Sequence, residues 1–108
     1  MNSIHLIKEF QRPEDFEGDK QLTELYDGPF RRIVEVRLRN GAVLSRHHAA
    51  EPITVFCLSG TGVFLAGEEL TESQAMRSGT FITLEAGIVH EVRAEPALQL
   101  IVSKFKRA

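Results

Sequence analysis

The sequence predicts an all-β sandwich or barrel. The segment 33–39 places Val34, Val36 and Leu38 on one side and charged residues on the other, a period of two that is typical of a half-buried strand. Turn signals such as Asn40-Gly41 recur about every eight to twelve residues, and no convincing amphipathic helix lies between them. Short strands at this spacing are typical of sandwiches and barrels.

About eight or nine short strands are expected in chain order. The first is predicted over 4–10, followed by a polar loop over 11–20 and a weak strand over 22–26. Beyond 33–39, strands are expected over 42–46, 53–58, 63–66, 80–84, 90–94 and 98–102. The segment 60–62 is interpreted as a turn between strands, and 70–78 stays ambiguous because part of it also suits a helical turn. The basic end, 104–107, is interpreted as a frayed, solubilising terminus.

Composition limits the classes of function. At 108 residues the chain is one domain, and its 43% hydrophobic and 26% charged content is ordinary for a globular protein. A net charge of -2 argues against nucleic acid as a partner. No signal peptide and no membrane-spanning run is recognisable, and the lone Cys57 lies in an apolar strand, so we expect a cytoplasmic protein without a membrane partner.

Two histidine-bearing segments stand about forty residues apart, each set off by glycines. The first runs from Gly41 through His47 to Gly60, and the second runs from Gly79 through Gly87 to His90. In spacing they resemble the two motifs of the cupin superfamily, whose fold is a double-stranded β-helix, a small jelly-roll barrel. The resemblance covers roughly residues 30–103 as the barrel core and leaves 1–29 for N-terminal strands and a loop.

The departures from the cupin motifs bear on function. Metal-binding cupins hold a divalent ion with three histidines and a glutamate, and the resemblance places the second histidine at Ala49 and the glutamate at Ile53. Glu85 stands for the motif proline, and Ala94 stands for the asparagine. The chain is similar in this respect to small single-domain bacterial cupins that keep one histidine in each motif.

A reduced metal site is one hypothesis for the two histidines. Zinc, iron, nickel or manganese needs about three protein ligands. His47 and His90 supply two, and the third is either Glu51, which shares the parity of His47, or His48, which needs a bulge to reach the same centre. The resemblance would then imply a dioxygenase or isomerase type of enzyme.

A small-molecule pocket is the favoured hypothesis. His47 and His90 would lie at the mouth of the barrel, and neutral imidazole suits a carboxylate, hydroxyl or carbonyl group because it both donates and accepts. The apolar walls are expected to include Ile53, Val55, Phe81 and Leu100. A structural or partner-binding cupin without a pocket is a third hypothesis.

A homodimer is the expected assembly. Residues 53–58 are apolar on both parities, which suits either the middle of a sandwich or a contact between two copies. Small cupins commonly pair through sheet faces or N-terminal strands, so the resemblance points the same way.

Overall fold

The strands of the protein are all antiparallel. The computed structural model describes residues 3–11 and 18–106. Within these ranges the strands are β1 Lys20–Asp27, β2 Arg31–Leu38, β3 Val43–His47, β4 Ile53–Ala66, β5 Glu72–Met76, β6 Phe81–Leu84 and β7 His90–Phe105. The all-β prediction is therefore confirmed. Over the same residues, no helix has the length and apolar character needed to cross a membrane.

The strands form two layers that share β4 and β7. In the first layer, the second part of β7 pairs with β2 and with the first part of β4, and β1 and β6 extend the layer at its two edges. In the second layer, the first part of β7 pairs with β3 and with the second part of β4, and β5 extends it. Two long strands that change layer make this a jelly roll rather than two separate sheets.

The bend in β4 corrects the predicted turn at 60–62. The register between β4 and β7 shifts twice there, so the strand bulges and continues. Gly60 has a φ of 90°, and a Cβ at this position would lie 2.1 Å from the carbonyl oxygen of Ala97. Only glycine permits this close approach of β7. Gly60 therefore marks a bulge instead of the end of a strand.

β7 is likewise longer than predicted. Segments 90–94 and 98–102 belong to one strand, because Glu95-Pro96 lies inside it and forms no hairpin turn. The strand also continues to Phe105, so the start of the basic end is part of the sheet. Lys106 then donates to Asp27 and to the carbonyl of Gly28. The expectation of a frayed terminus is wrong over 104–106.

One other strand prediction is wrong, and the segment that the sequence left ambiguous contains a strand. Residues 4–10 lie outside any strand, whereas the weak prediction over 22–26 corresponds to β1. The ambiguous segment 70–78 contains β5, which pairs along its whole length with β4. Cross-strand pairing, which local sequence does not reveal, therefore decides this segment. Most of the predicted loop over 11–20 lies outside the described residues.

The core lies between the two layers. Its inward side chains alternate along each strand, as the period of two predicts. Buried members are Val34, Val36, Leu38, Ile53, Val55, Cys57, Phe64, Ala66, Met76, Val92, Ala94, Leu98 and Leu100.

A polar cluster, the outer cluster, lies on the opposite face of the first layer. It consists of Glu35, Arg37, Ser59 and Gln99. Glu35 and Gln99 are each only 3% exposed, so the charged side of β2, which a half-buried strand is expected to turn to solvent, is buried at Glu35. The Gln99 amide donates to Glu35 at 2.8 Å and to the carbonyl of Gln11 at 3.1 Å, and Ser59 donates to Gln99 at 3.0 Å. Arg37 donates to the same carboxylate at 2.9 Å.

Candidate functional site

A small cavity opens between the two layers. We call it the inner cavity, and its volume is about 70 Å³. Its walls come from β3, β4 and β7 and from the segment after β3. The lining residues are Leu44, His47, His48, Ala49, Ile53, Val55, Phe64, His90, Val92, Leu100, Val102 and Lys104. Most of them are apolar, and the polar members are three imidazoles and one ammonium group.

His47 and His90 meet because their strands pair. The two residues stand opposite each other at the end of the β3–β7 ladder, after a register shift in β3. Their ring centroids are 4.1 Å apart, in an edge-on arrangement. The His90 ring also stacks on Phe64, with centroids 5.6 Å apart. His90 is 4% exposed and therefore lies deep, whereas His47 lies at the exposed rim.

Both imidazoles are oriented in the same way. Nδ1 of His47 lies 2.6 Å from the carbonyl oxygen of Ser45, and Nδ1 of His90 lies 2.9 Å from that of Ile88. A carbonyl oxygen only accepts, so each Nδ1 carries the proton and, in a neutral ring, Nε2 carries the lone pair. Among the described residues neither Nε2 has a hydrogen-bond partner. The same residues contain no fully buried side-chain nitrogen or oxygen atom that lacks a hydrogen-bond partner. Both Nε2 atoms therefore remain accessible for a ligand.

His90 favours its neutral form. Burial is the main reason that its pKa lies below the ordinary 6.5, and the nearby charges of His47, Lys104 and His48 lower the pKa further. The hydrogen bond to Ile88 opposes this shift without cancelling it. At neutral pH the His90 Nε2 is thus an acceptor.

Lys104 is the polar residue of the inner cavity that the sequence did not predict, and the apolar lining residues Leu44, Phe64, Val92 and Val102 were not predicted either. Lys104 continues the inward alternation of Leu98, Leu100 and Val102 along β7, and it pairs across the sheet with Ile53. The signal was this period of two, but the basic end of the chain suggested a solvated tail. The structure describes no carboxylate paired with the Lys104 ammonium.

The predicted pocket walls fall into two groups. Ile53, Val55 and Leu100 line the inner cavity. Phe81 lies elsewhere: it pairs with Phe56 across β4 and β6, is 61% exposed, and faces the outer side of the first layer. Its neighbour Ile82 faces inward instead, because adjacent residues of a strand point to opposite faces.

The residues present do not fit a resident metal centre. Glu51 borders a different, open groove together with Glu85 and Phe105, so it does not share the inner cavity with the histidines. His48 does line the cavity, but the described residues contain no group of three or more His, Cys, Asp or Glu side chains arranged to hold a metal. Lys104 adds a positive charge where a divalent cation would need a carboxylate.

A second depression adjoins the inner cavity. We call it the side groove, and its volume is about 240 Å³. It shares Leu44, His47, Val102 and Lys104 with the inner cavity. Its other lining residues come from β1 and β2 and are Leu22, Glu24, Arg32, Val34 and Val36. His47 and Lys104 therefore stand at the junction of the two spaces.

Comparison with known proteins relates the chain to solved structures alone. No family model and no curated protein matches the sequence. A Streptococcus pyogenes protein of unknown function superposes with a TM-score of 0.76 at 20% identity, over 99% of each chain. A cupin superfamily protein from Desulfitobacterium hafniense gives a TM-score of 0.78 at 13% identity, over 94% of this chain and 95% of that one.

A third similar structure is described by its fold. It is an RmlC-like cupin from Methanocaldococcus jannaschii with a double-stranded β-helix fold, and it superposes with a TM-score of 0.77 at 15% identity, over 96% of this chain and 93% of that one. At identities this low, the superpositions establish the fold and do not identify a ligand. The jelly roll, the two shared strands and these superpositions together show that the chain has the double-stranded β-helix fold of the cupin superfamily.

Proposed function

We propose that the protein binds a small molecule in the inner cavity, with His47 and His90 as its polar anchors. One observation carries the proposal: two oriented imidazoles present accessible Nε2 atoms, without a protein partner among the described residues, beside an apolar cavity. Binding sites are typically apolar spaces with a few well-placed polar groups. A purely structural role would be expected to use these atoms in hydrogen bonds within the protein.

The test is a titration with 1-pentanol, monitored through the side-chain NMR signals of the histidines. The end of the alkyl chain, roughly three carbons, would fill the cavity, and the hydroxyl would donate to an Nε2 atom at its mouth. The signals of His47 and His90 should shift in a saturable manner, while those of His5, which does not line the cavity, should stay unchanged.

A matched pair of variants locates the binding. Ala49 lines the inner cavity, and its neighbour Ala50 does not. Ala49→Leu should fill the space and weaken pentanol binding at least tenfold, whereas Ala50→Leu should bind like the unmodified protein. Absence of any saturable shift in the unmodified protein would overturn the proposal.

A metal-dependent enzyme, of dioxygenase or isomerase type, is the second candidate. The observation that favours it is the Nδ1–carbonyl bond of each histidine, which is how metal-binding imidazoles are commonly oriented. Ala49, Ile53 and Lys104 in the cavity wall weigh against it. Elemental analysis of untagged protein, after loading with zinc, iron, nickel or manganese, distinguishes the candidates. Stoichiometric metal that is lost in His90→Ala would favour the enzyme.

A homodimer and a cytoplasmic location also stay predictions. Phe56 and Phe81 contact each other on the outer side of the first layer and are 37% and 61% exposed, which supports pairing through this face. A mass of two chains in light scattering would agree with the dimer, and a mass of one chain would contradict it.

A further inference from the structure

We infer that the ligand of the inner cavity is a 2-hydroxycarboxylate with a short aliphatic tail. Its carboxylate would pair with Lys104, its hydroxyl would donate to an imidazole Nε2, and its tail would occupy the apolar interior. This inference rests on the proposed function, since it names the class of molecule that the same cavity selects.

The charge of the lining selects an anion. Among the described residues that line the inner cavity, Lys104 is the one with an ammonium group, and none is an Asp or Glu. No ion pair that the structure describes neutralises this ammonium group. A carboxylate that enters the space would therefore gain a charge-assisted hydrogen bond without displacing a protein partner. An amine of the same shape would meet repulsion.

The histidines select a donor beside that anion. Each Nδ1 donates its proton in a hydrogen bond to a backbone carbonyl, so a neutral ring offers only the Nε2 lone pair to a ligand. A carboxylate has no proton to donate to it, but a hydroxyl has one. The cavity thus contains the cationic donor Lys104 and the Nε2 atoms of His47 and His90, with His48 as a further imidazole in its lining. A hydroxyl next to a carboxylate complements the ammonium group and an Nε2 lone pair.

The volume of the inner cavity limits the length of the ligand's aliphatic tail. An apolar cavity of about 150 Å³ holds a six-carbon ring, so a cavity of about 70 Å³ has room for roughly three carbons. Val55, Leu100 and Phe64 are among the apolar residues that line the cavity. Lys104 and His47 stand where the cavity meets the side groove, so a polar head at the junction directs the tail inward.

The experiment compares three probes of similar size by calorimetry and by histidine NMR. The complete ligand is 2-hydroxypentanoate, pentanoate lacks the hydroxyl, and 2-hydroxypentanamide lacks the charge. A charge-assisted hydrogen bond corresponds to roughly a tenfold to hundredfold gain in affinity, and a neutral one to roughly threefold to tenfold. The hydroxy acid should therefore bind at least tenfold more tightly than the amide and at least threefold more tightly than pentanoate.

A lysine variant assigns the charge effect to its residue. Lys104→Met keeps most of the aliphatic stem and removes the ammonium group. It should weaken binding of 2-hydroxypentanoate at least tenfold and change binding of the amide less than twofold. The matched control is Lys20→Met on β1, which lies outside the inner cavity and should leave all three affinities unchanged.

The outcomes separate this inference from the proposed function. If the amide binds as tightly as the acid while His47 and His90 respond, the pocket stands and the anionic ligand is wrong. If pentanoate matches the hydroxy acid, the hydroxyl contact is wrong. If neither these probes nor 1-pentanol perturbs the histidines, the proposed function fails as well.

Discussion

Two polar clusters lie on opposite faces of the first layer, and they differ in how their hydrogen-bonding groups are used. In the outer cluster, the Glu35 carboxylate accepts from Arg37 and Gln99, and the Gln99 amide oxygen accepts from Ser59. Around the inner cavity, the Nε2 atoms of two histidines and the ammonium of Lys104 have no partner among the described residues.

The difference separates polar groups that stabilise the fold from those that await a ligand. A buried group with its partners contributes modestly to stability, and removal of one partner exposes the desolvation cost of the other. A polar group that faces an open cavity contributes little to folding, because water hydrates it when the cavity is empty. The outer cluster should therefore respond to mutation through stability, and the cavity should respond through binding.

The largest expected effect is on the outer cluster. Gln99→Leu removes a donor to Glu35 and the acceptor of Ser59, and it should lower the free energy of unfolding by about 2–3 kcal/mol in urea denaturation. Gln74→Leu is the control, because among the described residues this exposed amide donates only to the adjacent carbonyl of Ala75, and its effect should stay within about 0.5 kcal/mol. Equal losses in the two variants would show that the buried network has no special role.

Acid should destabilise the protein partly through Glu35. Burial alone would raise the pKa of this carboxyl, but hydrogen bonds from Gln99 and Arg37 outweigh it and hold the pKa below the ordinary 4.5. The unfolded chain thus binds more protons, so this contribution to stability is present above about pH 4.5 and is lost as the pH falls through the folded pKa.

Denaturation at several acidic pH values tests this contribution. Glu35→Gln should flatten the loss of stability below pH 4.5. The control is Glu95→Gln, which removes the same charge from an exposed position and should leave more of the pH dependence in place. An unchanged slope in Glu35→Gln would contradict the assignment.

A smaller pH effect is expected from the inner cavity. Because burial lowers the pKa of His90 below 6.5, unfolding lets this ring bind a proton that the folded state resists. Stability should fall as the pH drops below 6.5 towards the folded pKa, by less than about 1.4 kcal/mol per pH unit for one proton. His90→Leu should remove this component. An NMR titration midpoint for His90 at or above 6.5 would contradict it.

The smallest stability effect is expected at Lys104. Lys104→Met should change the free energy of unfolding by less than about 0.5 kcal/mol, because the variant breaks no ion pair that the structure describes. Lys106→Met, two residues further on, should be more destabilising, since Lys106 bonds both Asp27 and the carbonyl of Gly28. If Lys104→Met lowers the free energy of unfolding by about 2 kcal/mol or more, Lys104 stabilises the fold as the outer cluster does.

Much of the fold follows from local sequence, whereas the face that a short strand buries often does not. The alternation of Val34, Val36 and Leu38 identifies β2 directly. β6 has only four residues, and a shift of one residue exchanges its two faces, so the sequence could not choose between Phe81 and Ile82 as the inward side chain.

The same limit applies to the bulge and to the polar residues. A glycine such as Gly60 suits a turn and a bulge equally, and only the approach of Ala97 from β7 decides between them. Glu35 has the pattern of a solvated residue, and its burial follows from distant partners, chiefly Gln99. The meeting of His47 and His90 was expected from the family spacing, but their free Nε2 atoms depend on backbone carbonyls that a sequence does not display.

The two shared strands have a consequence for cooperativity. β4 and β7 have hydrogen-bonded neighbours on both sides in each layer, so their amides should exchange with heavy water most slowly, and neither layer can separate while the other stays intact. The inner cavity lies between these layers, and global unfolding therefore dismantles it. A ligand that occupies it should raise the unfolding free energy of the whole molecule by RT ln(1 + [L]/Kd), so a thermal melt can report occupancy without any label on the site.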